Sequence, residues 1–235
     1  MGKSIGIVGG MGPLATADLY HKLVRLTDAT CDKEHIRVYI DSDPEIPDRT
    51  AAILAGGEDP VPRMLSSAKK LVTCGADCLI IPCNTAHYFL PRLQEQLPVP
   101  ILSMPEAAAR ACRDLYPGKT VGVLATTGTL AAGTYDRALE AEGVPFVLPS
   151  ERGEELLMDV IYHYVKGGRP LTEAAILMES VMIEMSEKAE CFILGCTELP
   201  LAAEYLSRPY SLVDCTTELA KAAIRFCGCR VKGEK

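Results

Sequence analysis

The chain contains no apolar run of the roughly 18 residues that a membrane span needs. It has no basic surplus either: 24 Lys and Arg stand against 31 Asp and Glu, a net charge of −7. That excludes a phosphate-tracking nucleic-acid binder and a polybasic membrane binder, since both need clustered cations; a local basic pocket is still allowed. There is no CxxC pair, although the chain has ten cysteines. Their closest spacings, Cys74–Cys78–Cys83, Cys191–Cys196 and Cys227–Cys229, fit no zinc ribbon or finger, and no His pair among the four histidines completes one. The apolar segment Ile5–Val8 is too short for a signal-peptide core, and Gly6 stands where a myristoylation signal needs Ser or Thr. The expected location is the cytoplasm, where the thiols stay reduced. Most of the cysteines then read as small buried hydrophobes.

What is present is an ordinary globular composition, 48% hydrophobic and 23% charged in 235 residues, enough for one large domain or two small ones. Short β-branched apolar segments occur at Ser4–Val8, Ile36–Ile40, Cys78–Ile81, Ile101–Ser103, Thr120–Leu124, Phe146–Leu148, Cys191–Leu194 and Ser211–Val213. Helical spacing fills Thr16–Asp28, Pro62–Cys74, Met104–Leu115, Tyr135–Glu142, Glu154–Lys166 and Leu171–Ala189. Such alternation is the pattern of parallel sheets covered by helices, an α/β fold.

The chain also repeats itself. Ser4-Ile-Gly-Ile-Val aligns with Thr120-Val-Gly-Val-Leu at an offset of 116, and Cys78-Leu-Ile-Ile-Pro-Cys83 with Cys191-Phe-Ile-Leu-Gly-Cys196 at an offset of 113. Two similar lobes are therefore expected. Residues 1–98 plus 212–235 would form the N-terminal lobe and 99–211 the C-terminal one, with the last strand and helix returning to the first lobe. Ligands of open α/β sheets sit at the strand ends, so facing lobes would bring Cys83 and Cys196 to one cleft.

Several segments could carry chemistry. Gly10-x-Gly12-x-x-Ala15 matches the dinucleotide fingerprint in its Ala form, but Pro13 lies inside the turn, and a substrate-carboxylate turn or a structural turn is the preferred reading. In Pro82-Cys83-Asn84-Thr85-Ala86-His87 an apolar strand runs into a polar segment, where Asn84 or Thr85 could cap a helix and the helix end would favour a thiolate. Cys196-Thr197-Glu198 repeats the arrangement, with Thr197 as the capping candidate. Paired cysteines at equivalent strand ends are harder to assign to packing than one alone, whereas Cys78 and Cys191, within strands, read as packing residues. Arg49, in the Pro-rich loop Asp43–Thr50, is suited to bidentate carboxylate recognition, or else is a surface residue paired with Asp48. Thr127, in the second lobe's Gly-turn counterpart, offers donors. Lys166 either satisfies helix-end carbonyls or supplies a second cation. His87 either tunes the Cys83 thiol or is a satisfied helix residue. A nucleotide-dependent oxidoreductase, a thiol redox protein and a non-catalytic dicarboxylate sensor are the rival readings. Bound NAD(P) would mark the first and a reversible Cys83–Cys196 disulfide the second; retention of both thiols disfavours the third.

Taken in order along the chain, GGMGP (around Met11), IPDRT, PCNTAH and GCTEL resemble the aspartate/glutamate racemase family, its aspartate racemases most of all. The resemblance implies two α/β lobes related by a pseudo-two-fold axis with the active site between them, a homodimer, and no pyridoxal phosphate or metal. It implies an acidic amino-acid substrate and catalytic cysteines at Cys83 and Cys196; a racemase or isomerase of the same superfamily acting on another carboxylic acid is the nearest rival reading. By the same resemblance, Arg49 and Lys166 would contact the distal carboxylate and Asn84, Thr85 and Thr197 the α-carboxylate, with Met11, Thr127 and Glu198 lining the site. The family commonly has Asn-Pro before IPDR. Here Asp43-Pro44 adds a negative charge near a site for an anionic substrate.

Overall fold

The computed structural model describes residues 2–234. It divides into two compact units, one formed by residues up to Met104 and from Thr216 onward, the other by Pro105–Cys215.

In the first unit the order is β1 (Ile5–Gly9), α1 (Pro13–Leu26), β2 (Val38–Ser42), α2 (Arg49–Leu54), α3 (Val61–Thr73), β3 (Cys78–Ile80) and α4 (Leu90–Gln94). α5 (Met104–Leu115) begins at its end. The sheet order is β2-β1-β3, all parallel. β1 and β3 are buried throughout while the edge strand β2 is half exposed, as expected for a sheet with helices on its faces. Ile5, Ile7, Leu79 and Ile80 are essentially inaccessible, and each such side chain contributes about 1.5–3 kcal/mol through burial. The helical spacing from Thr16 misses the start of α1 by one turn. Gly12 is its N-cap and Pro13 its first residue, a position where proline's missing N–H leaves no helical bond unmade. The expected strand at Ile101–Ser103 shrinks to one parallel bridge, Leu79 to Ile101, flanked by bonds to Pro100 O and from Leu102 N–H.

The second unit continues with β4 (Val121–Leu124), α6 (Thr127–Ala131), α7 (Thr134–Ala141), β5 (Phe146–Val147), α8 (Glu151–Met158), α9 (Leu171–Met185), β6 (Cys191–Leu194), α10 (Leu199–Ala203) and β7 (Leu212–Asp214). Its sheet order is β5-β4-β6-β7, again parallel. β7 corrects one expectation: it pairs with β6, Phe192 opposite Leu212, so the last strand does not return to the first unit. Only α11 (Cys215–Phe226), from Thr216 on, and the segment after it do so. There Thr27 bridges to Val231 and Lys232 N–H bonds to Leu26 O.

The repeat seen in the sequence is a repeat of register. Ile5 lies opposite Cys78 in one sheet, and Val121 lies opposite Cys191 in the other. Just before each pair, the same clasp recurs. Asp77 N–H bonds Ser4 O while the Asp77 carboxylate accepts Ser4 N–H at 2.7 Å; Glu190 N–H bonds Thr120 O while its carboxylate accepts Thr120 N–H at 3.3 Å. Gly6 lies opposite Leu79 and Gly122 opposite Phe192. A Cβ at either glycine would come within 2.6 Å of that large neighbour, so glycine there makes room for the side chain across the strand.

Candidate active site

Every sequence-predicted site residue follows a strand's carboxyl end except Lys166, and each unit assembles its own group.

In the first unit the turn after β1 is built by Gly10, whose φ of +95° suits glycine alone. A Cβ there would fall 2.2 Å from Asp43 O, and its N–H bonds Thr16 Oγ1 at 2.9 Å. The Gly10 N–H is thus engaged within the turn, as in the structural reading of the GxGxxA segment. Met11 is buried, and its carbonyl accepts Arg49 Nη2 at 3.2 Å. Arg49 is itself buried, at the first position of α2, which Asp48 caps by accepting Ala51 N–H at 2.8 Å. Arg49 Nη1 also donates to Ile46 O and Pro47 O. The guanidinium therefore ties the loop after β2 to the loop after β1, and the surface-residue reading fails. Helical spacing leaves α2 as loop, although Asp48 before Arg-Thr-Ala-Ala is an N-cap signal.

The extra charge at Asp43 is met locally. Its carboxylate accepts Arg63 Nε at 3.1 Å and Glu45 N–H at 3.0 Å. Desolvation opposes ionisation, but the Glu45 N–H and the Arg63 guanidinium together hold the carboxyl below its ordinary range.

Cys83, 7% exposed, precedes a short 3₁₀ turn, Thr85–Phe89, rather than an α-helix. Asn84 takes the N-cap position without a side-chain capping bond, correcting the expected cap, and both Asn84 and Thr85 are buried. His87 resolves the choice between thiol tuner and satisfied residue. Its Nδ1 lies 2.8 Å from Cys83 O, and its Nε2 accepts Met104 N–H at 3.0 Å. That pattern assigns the neutral ring with Nδ1–H donating to Cys83 O. Burial lowers the His87 pKa to about 4. Both ring nitrogens are engaged by backbone groups, so the ring fixes the backbone at Cys83 rather than exchanging a proton with its sulfur.

In the second unit, α6 opens with Thr126 as N-cap, its hydroxyl accepting Thr129 N–H. Thr127 directs both its N–H and its hydroxyl at Met158 Sδ, 3.5 and 3.6 Å away. Nothing in the sequence pattern singles out Met158. The helix expected at Glu154–Lys166 is α8 followed by a π-helix, Asp159–Val165, a form frequent at functional sites. Lys166 ends it, its N–H bonding back to Ile161 O. Its ammonium lies 3.6 Å from Glu198 Oε1 and 4.7 Å from the Tyr162 ring centre.

Cys196 is 8% exposed, and its Sγ donates to Glu198 Oε2 at 2.9 Å. Thr197 Oγ1 donates to the same oxygen at 3.0 Å. The expected Thr197 cap is not formed: Glu198 holds the N-cap position of α10, without a side-chain capping bond. Burial first, and then the Glu198 charge, push the Cys196 thiol well above its ordinary value, against the opposing pull of Lys166. Cys196, Thr197, Glu198 and Lys166 thus form one connected network. Cys78 and Cys191, by contrast, are fully buried strand residues; burial pushes Cys191 up to about 11, and both fit the packing role expected of them. Among the described residues no cluster of three His, Cys, Asp or Glu is arranged to hold a metal ion, and no helix is long and apolar enough to cross a membrane.

The chain is similar to several known proteins. The structure of Picrophilus torridus aspartate racemase matches with a TM-score of 0.86 and 30% identity, covering 98% of this chain and 96% of that one. The broad specificity amino-acid racemase RacX of Bacillus subtilis (strain 168) is 26% identical over 226 residues, 94% of this chain and 96% of RacX. A glutamate racemase of Limosilactobacillus fermentum is 28% identical over 149 residues, 62% of this chain but only 54% of that protein. These relatives are isomerases acting on amino acids, and with residues 8–223 matching the Asp/Glu/Hydantoin racemase family, the chain belongs to that family.

Proposed function

We propose that the chain interconverts the enantiomers of an acidic amino acid, aspartate in preference to glutamate, with Cys83 and Cys196 as the two acid/base groups and no organic cofactor. One observation carries this reading: Cys83 and Cys196 occupy the same place in two sheets of matching register, each just past a fully buried strand, β3 or β6. The likeness to an aspartate racemase over nearly the whole chain supports aspartate as the first substrate to test.

Inversion at an α-carbon requires removal of a proton from one face and delivery to the other. A thiolate and a thiol on opposite faces accomplish this, and their roles exchange in the reverse direction. An α-proton is far less acidic than a thiol, so the carbanion-like state needs electrostatic stabilisation. Asn84 and Thr85, with backbone N–H groups, would supply donors to the α-carboxylate as negative charge spreads onto it; Thr197 would take up that role once its hydroxyl turns from Glu198, and Thr127 would line the same site. Arg49 and Lys166 would hold the distal carboxylate and contribute binding energy away from the reacting carbon. Met11 and Glu198 complete the lining in this reading. A broader substrate range is the second reading, favoured by the likeness to RacX; it is tested by the same assay with other amino acids. Cys83→Ser and Cys196→Ser should each lower racemisation by about 10²–10⁴-fold, the scale of a lost proton-transfer group. Wild-type activity in either variant refutes the two-base scheme.

A further inference from the structure

Two thiols outside the candidate site meet in the first unit. Cys78, in β3, is fully buried, and Cys227, the residue after α11, is 8% exposed. Both are free cysteines, and their side chains are hydrogen-bonded to each other. β3 and α11 belong to the two separate stretches of chain that build this unit, one ending at Met104 and the other starting at Thr216. The pair thus joins segments far apart in sequence, and no short cysteine spacing marks it.

The end of α11 fixes Cys227 in place. Cys227 N–H bonds Ala223 O, Gly228 N–H bonds Arg225 O and Cys229 N–H bonds Ile224 O. With Gly228 at a φ of +76° this is a Schellman turn. It makes Cys227 the helix cap, held against β3 through Cys78, and leaves Cys229 partly exposed beyond it. The Lys3 ammonium lies 4.1 Å from the centre of the adjacent Phe226 ring and favours negative charge at Cys227. The two thiols are not equivalent. The bond from Cys78 lowers the Cys227 pKa, against burial and the Asp77 charge, whereas that bond and then burial raise Cys78. Cys227 is the nucleophile of the pair, and Cys78 is the thiol beside it.

We propose that Cys227 is a peroxide-reactive thiol and Cys78 its resolving partner, the two closing a disulfide that clips α11 to β3. The Cys227 thiolate attacks one oxygen of hydrogen peroxide. An S–O bond forms, the O–O bond breaks, and the hydroxide that leaves is neutralised by the proton Cys227 had released. The Cys78 sulfur then attacks the sulfenic acid. The S–S bond forms, the S–O bond breaks, and the hydroxyl departs as water with the Cys78 proton. One peroxide is reduced to two waters while two thiols are oxidised. Burial selects the oxidant: a molecule little larger than water reaches an 8% exposed thiol, and a peptide disulfide such as oxidised glutathione is too bulky. The bond joins two stretches of the first unit that otherwise hold together without a covalent link, and it restricts the unfolded chain. Cys78 then has a chemical role besides packing.

The test uses the full-length protein, treated with hydrogen peroxide, alkylated and digested with trypsin. Cleavage after Lys70, Arg92, Arg225 and Arg230 releases residues 71–92, with Cys74, Cys78 and Cys83, and residues 226–230, with Cys227 and Cys229. The expected product is these two peptides joined, with fragment ions assigning the bond to Cys78 and Cys227. It should be absent from Cys227→Ser and released by dithiothreitol. The thermal midpoint of oxidised wild type should exceed that of the reduced protein by about 5 °C or more, with no such rise in Cys227→Ser; Cys78→Ala serves as the control if that variant does not fold. No Cys78–Cys227 bond at a peroxide level that oxidises the exposed Cys31, or a Cys227–Cys229 bond in its place, overturns the proposal. An unchanged midpoint overturns the clip, and an equal yield from oxidised glutathione overturns peroxide as the oxidant. None of these readouts depends on racemisation, so the result is separate from that of the two-base test.

Discussion

His87 links acid stability to the backbone beside Cys83, and its contribution can be worked out. The ring is buried and neutral, held by Cys83 O on one side and Met104 N–H on the other. Its pKa is about 4 in the folded chain against an ordinary 6.5. The unfolded chain therefore takes up a proton that the folded chain refuses, so the associated stability is fully present above pH 6.5 and is lost as pH falls towards 4. Each tenfold difference in proton affinity between the two states is worth about 1.4 kcal/mol. The total is then about 3 kcal/mol, of which about 2 kcal/mol is lost between pH 7 and pH 5. His87→Gln removes the titration. It should also cost about 1–3 kcal/mol at pH 7, by disturbing two buried hydrogen bonds. Urea unfolding of both proteins at pH 7, 6 and 5 measures this directly. Wild type should lose its advantage as pH falls, and the two stability curves should converge near pH 5. Parallel curves would refute the assignment of a neutral, hydrogen-bonded His87.

Two further predictions concern the scaffold. Gly6→Ala and Gly122→Ala each place a Cβ against the side chain opposite, Leu79 or Phe192, and each should destabilise its unit by about 1–3 kcal/mol; unfolding midpoints equal to wild type would contradict the close-approach argument. Arg49→Lys cannot reproduce a fork bonded to Met11, Ile46 and Pro47. It should lower stability by about 1.5–3 kcal/mol and raise KM for aspartate, and a variant unchanged in both thermal midpoint and KM would refute a linking role for Arg49.

The sequence was most informative where one physical requirement dominated. Fully buried strands such as Cys191–Leu194 leave an unbroken apolar run, and their limits were legible to within a residue or two. The internal repeat was legible because register, clasp and glycine recur together at positions 4–6 with 77–79 and 120–122 with 190–192. Short helices were not. α2, α6 and α10 are five or six residues long, too short for a periodic stripe, and they follow Pro- or Thr-rich turns that read as loop. The tail of the chain was misassigned because β7 has only three residues and its partner is chosen by the sheet, not by its own sequence. Within the candidate site, the strand-end placement of Cys83 and Cys196 was legible from residue type and position, whereas spacing alone left Lys166 open between a helix-end residue and a second cation. The contacts of Met158 with Thr127 and of Glu198 with Cys196 depend on side-chain direction after a chain reversal or a π-helix, which one-dimensional spacing does not carry.

Proton exchange at the α-carbon by two cysteines, without a cofactor, is the step proposed for this chain. The most direct test is a proton NMR time course in D2O under reducing conditions, with L-aspartate and L-glutamate in separate samples and no added cofactor. It is run on wild type, Cys83→Ser and Cys196→Ser, with chiral analysis of the products. Wild type should lose the α-proton signal and form D-aspartate together, and neither variant should form D-aspartate at a comparable rate. Absence of exchange with both acids from wild-type protein whose thiols are confirmed free, or undiminished racemisation by a single-cysteine variant, would contradict it.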